Sequence, residues 1–170
     1  MYSYRRYRSR RVPPWAVAAV AAAVLLGAGQ AAHAGGRPHH HAPSHAALVA
    51  IAWARHQLGK PYLWGGTGPG SFDCSGLVME AYASAGVTIP RTSQEQYAAG
   101  VKVPASQVEP GDLAYWAGAD GTTTAPGHVA IVISPRRRLV IEAYATGFPI
   151  REASWTGRHP AGFTRPSGGK

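Results

Sequence analysis

Residues 65–85 read GGTGPGSFDCSGLVMEAYASA, a glycine-rich loop running into an amphipathic stretch with the only cysteine of the chain at the junction. Four of the six residues from Gly65 to Gly70 are glycine. The loop lacks the terminal Lys-Ser/Thr of a phosphate cradle, so nucleotide binding is not expected. Beyond it, Leu77, Val78, Ala81, Tyr82 and Ala85 recur three and four apart. That spacing predicts a helix over 74–85, with Gly86 as its stop. Cys74 would then head a helix, where free amide donors and the helix dipole favour a thiolate. The same position also suits a packed structural cysteine, since free cysteines are commonly buried.

Working outward, Leu48, Ile51, Ala52 and Leu58 with interspersed alanines predict a first helix over 46–58, stopped by Gly59-Lys60-Pro61. A short helix is expected over 91–98, ended by Gly100. Val108 to Asp112 reads as a turn, 113–116 as a short strand and 120–127 as a polar surface loop. Val129 to Ile133 is an unbroken apolar run, the mark of a buried strand. Pro135 to Arg138 turns the chain, 139–143 returns it, and a further strand is expected over 148–151. Helices first and strands afterwards predict an α+β domain in which N-terminal helices pack on a mostly antiparallel sheet.

The chain has 170 residues with 17 Lys+Arg against 8 Asp+Glu, a formal charge of +9. That excess suggests a nucleic-acid partner until its location is considered. Residues 1–11 carry five arginines and no acid, an apolar run follows from Trp15 to Gly29, and Ala32-His33-Ala34 closes the segment. Positive region, apolar core and small-x-small site in that order predict a secretory signal over 1–34. The apolar run is shorter than the roughly 20 residues a spanning helix needs, so no stable membrane insertion is expected after cleavage, with an uncleaved N-terminal anchor as the alternative. Without those five arginines the remaining 136 residues carry 12 basic and 8 acidic side chains, or +4. Residues 35–45, with the tract His39-His40-His41, read as a flexible linker, and 165–170 as a disordered tail.

A thiolate nucleophile needs a base and a group to orient it. His128 opens the strongest strand, whereas His56 lies inside the first helix and His159 in a Gly/Pro-rich segment. Glu142 sits in an apolar run and needs a partner. A hairpin of 128–133 with 139–143 would bring it to His128, there to accept the Nδ1 proton. An outward position on an edge strand is the alternative for Glu142, and a packing role the alternative for His128.

Five ordered segments now carry a resemblance: Pro61-Tyr62-Leu63-Trp64-Gly65-Gly66, Phe72-Asp73-Cys74-Ser75-Gly76-Leu77-Val78, Pro90-Arg91-Thr92-Ser93-Gln94, Pro110-Gly111-Asp112-Leu113 and Gly127-His128-Val129-Ala130-Ile131-Val132. Together they resemble the NlpC/P60 family of cell-wall cysteine peptidases, over a catalytic domain spanning about 46–164. The resemblance implies a papain-like α+β fold, Cys74 as nucleophile, His128 as base and Glu142 as the third group. It implies Tyr62 beside the nucleophile as an oxyanion donor. Asp73 and Ser75 become substrate-pocket residues for the free amine end of a stem peptide, with Arg91 and Ser93 beside the groove. Pairing with an acid is the alternative role for Arg91. The implied reaction is hydrolysis of peptidoglycan stem peptides at the γ-D-glutamyl to diamino acid bond, through a thioester. It needs no metal and no organic cofactor. A wall amidase or transpeptidase of the same superfamily and a non-catalytic wall-binding protein are the rivals. No nucleic-acid partner is expected, because the Arg136–Arg138 turn has no aromatic platform beside it. The protein is expected to act outside the cytoplasm as a monomer.

Overall fold

The structure, a computed structural model, describes residues 42–167. The expected signal segment and the His39–His41 tract lie outside the described residues. Three α-helices precede the strands: α1 (His45–Arg55), α2 (Cys74–Ser84) and α3 (Ser93–Ala99). Six strands follow, β1 (Val101–Lys102), β2 (Leu113–Trp116), β3 (His128–Ser134), β4 (Leu139–Glu142), β5 (Arg151–Ser154) and β6 (Gly162–Arg165). They form one sheet in the order β1-β6-β2-β3-β4-β5, with every neighbouring pair antiparallel.

Side chains alternate across the sheet and divide the core into two clusters. Leu113, Tyr115, Val129, Ile131 and Ile141 face the helices, against Leu77, Val78, Ala81 and Tyr82 of α2 and Ala50, Ile51 and Ala54 of α1. Ala114, Trp116, Ala130, Val132 and Val140 fill the other face with Val108, Trp155 and Phe163. Covered on both sides, β3 reads as a continuous apolar run.

Helix α1 presents a different face from the one expected. Ala47, Ala50, Ile51 and Ala54 are buried, whereas Leu48 is 51% and Leu58 40% exposed. Small residues let α1 lie close to α2, and closeness outweighed the hydropathy of the two leucines. The helix ends at Arg55, and Ser44, placed in the expected linker, is its N-cap, accepting from the Ala47 N–H at 3.1 Å.

The C-terminal boundaries also differ. The strand expected over 148–151 begins instead at Arg151, and Phe148 stands in the turn before it. Strands β1 and β6 were not expected. Arg165, placed in the expected tail, ends β6. Its guanidinium grips Asp112 at 2.7 and 2.9 Å and Glu109 at 3.1 Å. The brevity of β1 and β6 hides both from an alternation test.

Loop and helix start meet most tightly at Gly76. A Cβ there would overlap the carbonyl oxygen of Gly66 and stand 2.9 Å from the Asp73 carboxylate. Backbone on one side leaves nothing flexible to yield. Gly76→Ala is therefore expected to destabilise the fold by about 1–3 kcal/mol through overpacking, read as a lowered Tm, while Ala83→Gly on the exposed side of α2 should cost only about 1 kcal/mol.

Candidate active site

Asp73 positions the head of α2. Its Oδ1 accepts from the Gly76 N–H at 2.6 Å as the N-cap, and its Oδ2 accepts from the Gly65 N–H at 2.9 Å. The Arg91 guanidinium forks onto both oxygens, at 3.0 and 2.5 Å, and also donates to Ser75 Oγ at 2.9 Å. One carboxylate thus joins the glycine loop, the helix start and the 90–92 segment. This pairing raises Arg91 further above its ordinary range, through the Asp73 hydrogen bond and against burial. Gln96 of α3 adds a fastening, donating from Nε2 to the carbonyls of Ser75 at 3.0 Å and Pro90 at 2.8 Å. Cys74 is the first residue of α2 and buried, with its backbone N–H clear of the helix ladder.

His128 opens β3 on the sheet face away from the helices, paired across from Trp116. The thiol packs in the helix-side core. Thiol and imidazole therefore meet where β3 begins, with Cys74 Sγ 3.8 Å from the carbonyl oxygen of Gly127. His128 Nε2 lies 3.1 Å from Glu142 Oε2. Nδ1 is the ring nitrogen that Glu142 leaves free, and Cys74 lines the same hollow as the ring. Glu142 thus meets Nε2, not Nδ1 as expected, because it reaches the ring along the sheet while the thiol comes from the helix layer. Burial works against a charged His128, but its hydrogen bonds to Cys74 and Glu142 prevail and raise its pKa above the usual value.

Glu142 is fully buried, and β4 is flanked by β3 and β5, so it is no edge residue. Arg151 donates to its Oε1 from Nε at 3.3 Å and Nη2 at 3.1 Å, and Arg158 donates to Oε2 from Nη1 at 2.9 Å. Burial would raise the carboxyl, but the His128 hydrogen bond and the Arg158 charge outweigh it and hold Glu142 down at about 2.

The other expected residues converge on the same groove. Tyr62 is half-buried there, and burial together with the negative Cys74 and Asp73 pushes its phenol up to about 12, so it remains a donor. Two hollows meet over Cys74. One, of about 390 Å³, is lined by Asp73, Ser75, Arg91 and Ser93, and the other, of about 540 Å³, by Trp116, His128, Tyr144, Thr146 and Arg158. Tyr62, Trp64, Cys74, Asp120 and Gly127 border both. Sequence reasoning did not find Arg151, Arg158 or Asp120. Arg151 had a signal: in the β4–β5 register it stands directly opposite Glu142. Asp120 and Arg158 lie outside regular elements, where no periodicity could mark them.

Compared with known proteins, residues 59–159 match the NlpC/P60 family. The chain belongs to this family. It is 37% identical over 115 residues to the "Probable endopeptidase p60" of Listeria seeligeri, an alignment covering 68% of this chain and 21% of that protein. The chain thus spans about a fifth of the length of that curated relative. Among solved structures, the NlpC/p60 domain of the peptidoglycan hydrolase SagA superposes with a TM-score of 0.61 at 31% identity, covering 69% of this chain and 97% of the domain. The peptidoglycan hydrolase RipB from Mycobacterium tuberculosis gives 0.60 at 31% identity, covering 71% and 64%. The expected fold, N-terminal helices on a mostly antiparallel sheet, is the NlpC/P60 fold of these structures.

Because the folded Glu142 carboxyl titrates at about 2 and an unperturbed one at 4.5, its stabilisation is complete above pH 4.5. It is lost as pH falls towards 2, over a range of order 3 kcal/mol. Glu142→Gln should remove this dependence, and thermal melts recorded between pH 2 and 6 should show a flatter acid limb than the parent.

Proposed function

We propose that this NlpC/P60 chain is an extracytoplasmic cysteine peptidase that hydrolyses peptidoglycan stem peptides, at the bond from the γ-carboxyl of D-glutamate to the following diamino acid. The observation that carries the reading is that the buried Cys74 and His128 line one open groove, with His128 held at 3.1 Å by the buried Glu142 carboxylate. The endopeptidase name of the Listeria relative and the peptidoglycan hydrolases among the similar structures support the substrate class. The secretory pattern of residues 1–34 supports the location.

The thiolate of Cys74, with His128 as imidazolium, attacks the scissile carbonyl. Negative charge develops on the carbonyl oxygen, where the free N–H of Cys74 and the Tyr62 hydroxyl are the available donors. Imidazolium gives its proton to the leaving amine, the C–N bond breaks, and a thioester remains. Water then enters, His128 takes its proton, the C–S bond breaks, and the acid product leaves with the thiolate and imidazolium restored. The acid must stand beside the leaving amine, and His128 lines the larger hollow but not the smaller. The leaving fragment therefore occupies the larger hollow and the acyl fragment the smaller, beside Ser75, Arg91 and Ser93. The Asp73 oxygens already take five donors. Asp73 therefore serves the acyl side by fixing Arg91 and the helix start. Every step uses groups of one chain, so a monomer suffices.

Cys74→Ala should abolish release of peptide fragments from purified peptidoglycan without unfolding the protein. Mass analysis of the soluble products would identify the bond cut by the parent, and undiminished release by the variant would refute the nucleophile. Glu142→Gln removes a contact that raises His128. The alkaline limb of kcat/KM should then move to lower pH, with a lower plateau; an unmoved limb would exclude Glu142 from the catalytic set.

A further inference from the structure

We infer that Arg158 forms a carboxylate-binding subsite for the leaving fragment, so that the site selects stem peptides presenting a carboxylate just beyond the scissile bond. The inference rests on the peptidase reading above and adds a specificity element to it.

Arg158 does two things at once. From Nη1 it donates to Glu142 Oε2 at 2.9 Å, and this is the only hydrogen bond of its guanidinium among the described residues. A guanidinium carries five N–H donors in a rigid fork, so four remain. The plane is held 4.4 Å from the Trp116 ring centroid and 5.3 Å from that of Tyr144. Its side chain keeps 28% exposure, and it lines the hollow that also contains Cys74 and His128. Aromatic walls fix the fork in place and leave its free edge to the groove.

The charge count favours an anion. Arg151 and Arg158 share the single negative charge of Glu142, so within this cluster one positive charge is in excess, before Asp120 across the hollow is counted. Among the described residues, Arg158 is the only basic residue besides His128 that lines the larger hollow, and Asp120 at its border is the only acidic one. Arg151 holds Glu142 with two bonds but does not line the groove. Two arginines with the same inner partner thus differ in one respect, access to substrate.

A carboxylate on the leaving fragment has two sources. Diaminopimelate carries one on its side chain where lysine has none, and the stem peptide ends in another. Either would accept the fork in two parallel charge-assisted bonds.

The test uses the parent protein and matched synthetic stem peptides: diaminopimelate with all carboxyls free, amidated on the side chain, amidated at the C terminus, amidated at both, and the lysine analogue. Loss of the gripped carboxylate should lower kcat/KM about 10- to 100-fold, and the arm that causes the drop names its source. Arg158→Gln should erase this ratio and Arg158→Lys restore part of it. Arg151→Gln should slow all peptides alike with the ratio intact. Equal turnover of free and doubly amidated peptides by the parent would overturn the subsite, as would a ratio that survives Arg158→Gln. The parent comparison decides even if that variant does not fold. No cleavage of any peptide by the parent would instead refute the peptidase reading itself, and the subsite with it.

Discussion

A fully buried carboxylate in the middle of a sheet is the constraint on which the catalytic end of this fold depends. Glu142 has no exposure and no strand edge to escape to, and an uncompensated charge there would cost several kcal/mol. Its partners must come from both sides of β4. The register Ile131–Ile141 sets His128 as a diagonal neighbour on the same face. The β4–β5 register places Arg151 directly opposite, and the segment after β5 returns Arg158. A slip of one residue in either pairing would turn these side chains to the helix face and leave the charge alone. Strand register and catalytic geometry are thus enforced by the same ion cluster.

Asp73 is its counterpart on the helix layer. It too is a buried acid, 7% exposed, joining the glycine loop, the helix start and Arg91. One carboxylate locates the thiol through the first turn of α2, and the other locates the imidazole through β3 and β4. The two meet only at Cys74 and His128, which belong to opposite layers. Precision at the site comes from two rigid anchors rather than from the loops that border it.

Most of this was legible in the sequence for a physical reason: regular elements advertise themselves by period. The helix headed by Cys74, the strand headed by His128 and the hairpin carrying Glu142 all lie on such elements, and the structure brings the three together. Orientation was less legible. Which ring nitrogen faces Glu142 depends on the layer from which each group approaches, and spacing along the chain does not encode layers. In α1 the small residues, not the large apolar ones, chose the buried face. Arg151 was missed because β5 is half polar and was placed three residues early. Arg158 was missed because a residue in an irregular segment has no periodic neighbours. Arg165 was missed because a strand of four residues near the end of a chain resembles a tail.

The arrangement around Glu142 also bears on where the catalytic proton can go. The carboxylate lies between the imidazole and two guanidinium groups, so the charge nearest His128 is negative although the cluster sums to positive. The His128 hydrogen bond and the Arg158 charge hold Glu142 ionised down to about pH 2, while His128 is raised by its own hydrogen bonds. Both shifts widen the gap between the two groups and disfavour transfer of the proton from imidazole to carboxylate. Glu142 therefore acts as a fixed acceptor that orients the ring and supports its charge. In the proposed reaction the proton shuttles on the other nitrogen, between thiol, leaving amine and water.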